Sequence, residues 1–90
     1  MPNCYHVTRS SPQETARDVR ECVDQVGGPG QLRRLATDAG GSVHSLVYYA
    51  ERDDADRYLQ AITRCLREKG HVVHRAEVLE DVPDFPGFDD

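Results

Sequence analysis

Ninety residues can bury one modest hydrophobic core, which sets a single domain and leaves little room for an enclosed active site within one chain. Sixteen acidic against eleven basic residues give a formal charge of -5, and Arg33-Arg34 is too small a basic cluster to make nucleic acid the expected ligand. No apolar run reaches the length of a membrane span, MPNCYHV lacks the regions of a signal peptide, and three irregularly spaced cysteines fit reduced thiols, so no membrane partner and a cytoplasmic location are expected.

Residues 3–9 (NCYHVTR) alternate as a strand, with Tyr5 and Val7 on one face and Cys4, His6 and Thr8 on the other. Ser11-Pro12-Gln13-Glu14 then combines a serine cap, a proline at the first helical position and a glutamate that closes a capping box, so a helix starts here. Its apolar stripe is Ala16, Val19, Cys22, Val23 and Val26, and Gly27-Gly28-Pro29-Gly30 ends it. Residues 31–39 read two ways. Leu32, Leu35, Ala36 and Ala39 have helical spacing, whereas a strand would put Leu32, Arg34 and Ala36 on one face; helix is preferred, over residues 31–37 in particular.

Residues 42–50 carry apolar side chains on both alternations, Val43, Val47 and Tyr49 one way and Leu46, Tyr48 and Ala50 the other, so this central strand needs cover on two faces. A helix over 53–69 follows, with its stripe at Ala55, Tyr58, Leu59, Ile62, Cys65 and Leu66, Asp53 as its cap and Gly70 as its left-handed stop. Residues 71–79 close the fold as a strand, with Val72, Ala76 and Val78 on one side and Val73 and Leu79 on the other. The expected architecture is α+β, a single-layer sheet with helices on one face in the order β-α-α-β-α-β, over residues 1–80. The acidic tail 81–90, with Pro83, Phe85, Pro86 and Phe88, reads as a strap across the sheet or a linear motif.

That order, with HVVHRAEV after a helix ending in LREKG, resembles the ClpS-like fold of the ClpS protease adaptors and of the C-terminal domain of the ribosomal stalk protein. ClpS adaptors hold a substrate's amino terminus with an Asn-Asp pair after the first strand and a histidine late in the second helix. The corresponding stretches here are Arg9-Ser10-Ser11 and Thr37-Asp38-Ala39, so no binding residue carries over. With a strand at residues 31–37 the order becomes β-α-β-β-α-β, which looks like the ferredoxin-like superfamily, including small dimeric α/β-barrel proteins. The Asp38-Ala39-Gly40-Gly41 turn would then make a hairpin.

Residue chemistry points away from catalysis. There is no C-x-x-C, and His71 and His74, three apart on a strand, point to opposite faces, so no metal site or other cofactor is expected. Cys22 and Cys65 sit on apolar stripes as small core residues, and the helix end near Cys65 disfavours a thiolate. The glycine loop lacks the Lys-Ser/Thr of a phosphate loop. His44 shares a face with Leu46 and Tyr48 and marks a polar point in an apolar surface. The expectation is therefore a small non-enzymatic protein-binding or adaptor domain, with His44, Leu46, Tyr48, His74, Phe85 and Phe88 as candidate contacts. The alternative is a ferredoxin-like homodimer enclosing a small ligand between its sheets, lined by His44, Tyr48, Tyr49 and His74.

Overall fold

Two strands, β1 (Asn3–Arg9) and β3 (Ser42–Tyr48), form the middle of one four-stranded sheet, flanked by β2 (Gln31–Thr37) beside β3 and β4 (Val72–Leu79) beside β1. Every pairing is antiparallel. Helices α1 (Pro12–Val26) and α2 (Arg52–Glu68) pack together on one face of it. The structure is a computed structural model and describes residues 1–9 and 12–82. The serine cap expected at Ser11 and the tail residues Phe85 and Phe88 lie outside the described residues.

The α+β class with helices on one face of a single sheet is as expected. The segment 31–37 is a strand rather than the preferred helix, so the order is β-α-β-β-α-β, a split β-α-β arrangement. A bulge explains why the pattern misleads. Leu32 pairs with Val47 and Leu35 with Ser45, with Arg33 the extra residue between Leu32 and Arg34. Two leucines three apart therefore face the helices from a strand. The opposite edge repeats this device: Thr8 pairs with Val73 and Val7 with Arg75, leaving His74 extra. Val73, Ala76 and Val78 thus pack under the helices, and Val72, expected beside Ala76, is instead 57 % exposed.

Strand β3 keeps both expected faces. Val43, Ser45 and Val47 turn to the helices and His44, Leu46 and Tyr48 away from them, and Tyr49 follows into the helix-side core, its amide donating to Pro2 O at 3.1 Å. Helix α2 starts one residue earlier than expected. Glu51 is its extended N-cap and makes no side-chain cap bond, while Asp53 and Asp54 occupy the first turn, where the helix dipole favours them. At its end Gly70 (φ +92°) takes the left-handed position, Gly70 N–H donates to Arg67 O and His71 N–H to Leu66 O, a Schellman stop.

The cysteines correct the expectation of three reduced thiols. Cys22 on α1 and Cys65 on α2 form a disulfide with Cα atoms 5.8 Å apart, because both stripes face the same interhelical seam. Closing a 43-residue separation constrains the unfolded chain by about 4 kcal/mol. Cys4 alone remains a thiol, buried on β1 and donating to Ala55 O.

Candidate functional site

The helix-free face carries a second, smaller apolar cluster. Tyr5 and Leu46 are 3 % and 0 % exposed, with half-buried Val7, Ala36 and Leu79 packed against them. The register aligns a row straight across the sheet, Arg34–Leu46–Tyr5–Glu77, and beside it the row Ala36–His44–Val7–Arg75. In the first row charge sits at both ends, with the buried Leu46 and Tyr5 between them. Arg75 lies over the Tyr5 ring and Arg33 over the Tyr48 ring, each 5.1 Å from the centroid, and Arg75 also forks onto Glu77 at 2.8 and 2.9 Å.

A hydrogen-bonded chain crosses this face. Asp38 Oδ1 accepts from the amides of Gly40 and Ser42, closing the β2–β3 turn, and Asp38 Oδ2 accepts from His44 Nε2 at 2.9 Å. With Nε2 protonated toward the carboxylate, His44 Nδ1 is the acceptor for the Tyr5 hydroxyl at 2.6 Å. The bond from His44, helped by the Ser42 and Gly40 amides, holds the Asp38 carboxyl below the usual carboxylate range. Burial pushes the Tyr5 phenol up, with Arg75 pulling the other way, so it keeps its proton and donates. Tyr5 and His44 are both buried. The chain of three therefore locks the hairpin to the neighbouring strand.

Two further histidines are built into the helix side. His6 Nε2 meets Thr63 Oγ1 at 2.8 Å, and the Thr63 hydroxyl donates to Leu59 O, so Nε2 carries the His6 proton. His71 Nε2 donates to Asp18 Oδ2 at 2.6 Å, which, ahead of Arg17, lowers the Asp18 pKa. Three clefts of about 270, 390 and 260 Å³ run along the helices, walled chiefly by arginines, acidic residues and the glycine loop. Among the described residues no group of three His, Cys, Asp or Glu could hold a metal ion.

Of the candidate residues, His44, Leu46 and Tyr48 are brought together on the helix-free face, as their shared alternation predicts. His74 is not with them: as the β4 bulge residue it is exposed at the sheet edge, with β1 between it and β3. Tyr49 lies in the helix-side core, stacked on Tyr58 at 5.2 Å, and cannot line that face. Tyr5 and Asp38 are the residues of the helix-free face that sequence reasoning missed. Asp38 was visible only as a turn residue, and Tyr5 meets His44 through a pairing 39 residues long in sequence that no local pattern encodes. No described helix is long and apolar enough to cross a membrane. No protein-family model matches this chain, and no curated protein matches it in sequence.

Proposed function

We propose that the chain is a small non-enzymatic binding domain of ferredoxin-like architecture whose helix-free sheet face is its protein-contact surface. The observation that carries this reading is the apolar cluster around Tyr5 and Leu46 on the face that neither helix covers. The strand at Gln31–Thr37 supports the ferredoxin-like order over the ClpS-like one, which requires a helix there. Since Tyr5 and Leu46 are already buried in one chain, contact falls to the half-buried ring of Val7, Ala36, Tyr48 and Leu79. Both edge strands carry a bulge, which discourages edge-to-edge pairing and leaves the face as the better surface.

A second copy of the chain is the first partner to test, because a two-fold axis parallel to the strands, between β1 and β3, maps this face onto itself and would bring the half-buried ring of Val7, Ala36, Tyr48 and Leu79 of the two copies together. His44 and Tyr48 would line any small ligand held between the sheets. The Cys22–Cys65 bridge removes the reduced thiols that favoured a cytoplasmic location and favours an oxidising compartment. Light scattering across a concentration series tests the association, with Ala36→Glu expected to weaken it at least tenfold while the circular dichroism spectrum is kept. A strict monomer that also recovers no partner from its native host would count decisively against the reading.

A further inference from the structure

Helix α1 is attached by a mixed set of contacts. Its buried side chains, among the described residues, are Thr15, Asp18, Val19 and Cys22, of which Val19 alone is aliphatic, and the half-buried Val23 and Val26 add the rest of its apolar contact. Helix α2 by contrast buries Ala55, Leu59, Ile62 and Leu66 beside Thr63. What α1 lacks in apolar area is supplied by links to the far end of α2: the Cys22–Cys65 disulfide, a 3.2 Å contact of Lys69 Nζ with Glu21, and the 2.6 Å bond from His71 to Asp18. All three leave α1 between Asp18 and Cys22, little more than one turn. The Lys69–Glu21 pair is partly exposed and contributes little, so the covalent link dominates.

We propose that the Cys22–Cys65 bridge is a redox latch on α1: reduction by a dithiol releases this helix while the sheet and α2 stay folded. Access is one-sided. Cys22 is fully buried, whereas Cys65 is half-buried in the wall of the 260 Å³ cleft beside Gln25, Val26, Ala61 and Arg64. A thiolate of the dithiol attacks Cys65 Sγ, the bridge's S–S bond breaks, and Cys22 leaves as a thiolate that takes up a proton. The second thiol of the dithiol then displaces Cys65 as a free thiol, and the reductant departs as a cyclic disulfide, two electrons having passed to the bridge. Cys4 does not compete, since it is enclosed in the core and burial pushes its thiol up to about 12. Release of α1 uncovers the helix-side surface of β2 and β3, including Leu32 and Val47.

Hydrogen exchange on the full chain, with and without dithiothreitol, tests this. In the reduced protein the amides of residues 16–26 should exchange at least about tenfold faster, and by a clearly larger factor than those of β1 and β3. Unchanged protection in α1, or an equal loss in every element, overturns the proposal. The double variant Cys22→Ala/Cys65→Ala should show the fast-exchanging α1 without reductant and no response to dithiothreitol. A response that persists there, or a double variant that does not fold at all, also overturns it, because the latch leaves the sheet and α2 folded without the bridge.

Discussion

Tyr5 and His44, 39 residues apart, are joined by a 2.6 Å hydrogen bond on the helix-free face, and His44 passes the link on to Asp38 at 2.9 Å. Each member is held by the next, so their contributions to stability should be coupled. Tyr5→Phe removes the hydroxyl that donates to His44 Nδ1 and should cost about 1 to 2 kcal/mol. Asp38→Asn loosens both the turn and the histidine. Urea melts of the two single variants and the double variant should give an interaction of at least about 0.5 kcal/mol, the double costing less than the sum. Strict additivity would mean that the three groups do not act as one unit.

His6 should make the protein acid-sensitive over a defined window. It is fully buried on the helix side, and burial pushes its pKa down from 6.5 to about 4, against a smaller opposing pull from the Leu59 backbone. Between these values the unfolded chain binds a proton that the folded one refuses. Stability from this group is therefore complete above pH 6.5, declines as pH falls, and has lost about 3 kcal/mol once the folded pKa is reached. The lowered carboxyls of Asp18 and Asp38 act elsewhere, since their contribution is present above their ordinary value of 3.8 and fades below it. Denaturant melts at pH 7 and pH 5 should differ by about 2 kcal/mol, and His6→Asn should remove that difference. If the slope survives the substitution, another group carries it.

The glycine loop makes a sterically sharp prediction. A Cβ on Gly30 would stand 2.5 Å from the Tyr49 ring, which is buried and stacked on Tyr58 and so has nowhere to move. Gly27, by contrast, has open space around it and costs only its left-handed backbone, φ +70°. Gly30→Ala should therefore destabilise by about 1 to 3 kcal/mol through overpacking, and Gly27→Ala by about 1 kcal/mol through backbone strain. Thermal melts rank the two. A harmless Gly30→Ala would mean that the loop does not press on Tyr49.

Local signals told most where they were local. The stripe of α2, its Gly70 stop and the two faces of β3 were legible, and the turn at residues 38–41 was so with the strand alternative for 31–37, because periodicity and turn chemistry act within a few residues. The edge strands misled for one shared reason, β2 in its type and β4, a strand as expected, only in the faces given to Val72 and Val73. An extra residue, Arg33 in β2 and His74 in β4, puts side chains three apart on the same face, so Leu32 with Leu35 and Val73 with Ala76 imitate spacings other than a strand's. The disulfide and the Tyr5–His44–Asp38 chain were hidden for a different reason. They are decided by which elements lie side by side, and separations of 43 and 39 residues leave no trace in a local window.

The hold of α2 on the sheet gives the plainest test of the core. Its stripe runs Ala55, Leu59, Ile62, Leu66, and Ile62 sits at the centre with no exposed surface, enclosed in the main cluster beneath both helices. Truncating it removes three carbons from a site whose walls are strands on one side and the disulfide-linked α1 on the other, so the cavity has little freedom to collapse. Ile62→Ala should cost about 2 to 5 kcal/mol, a large share of the stability of a domain this small. Gln60, two residues earlier, is exposed on the outer face in the wall of the 390 Å³ cleft. Gln60→Ala should shift stability by less than about 0.5 kcal/mol. Urea melts of the pair decide the matter, since comparable losses would mean that α2 does not dock through its stripe.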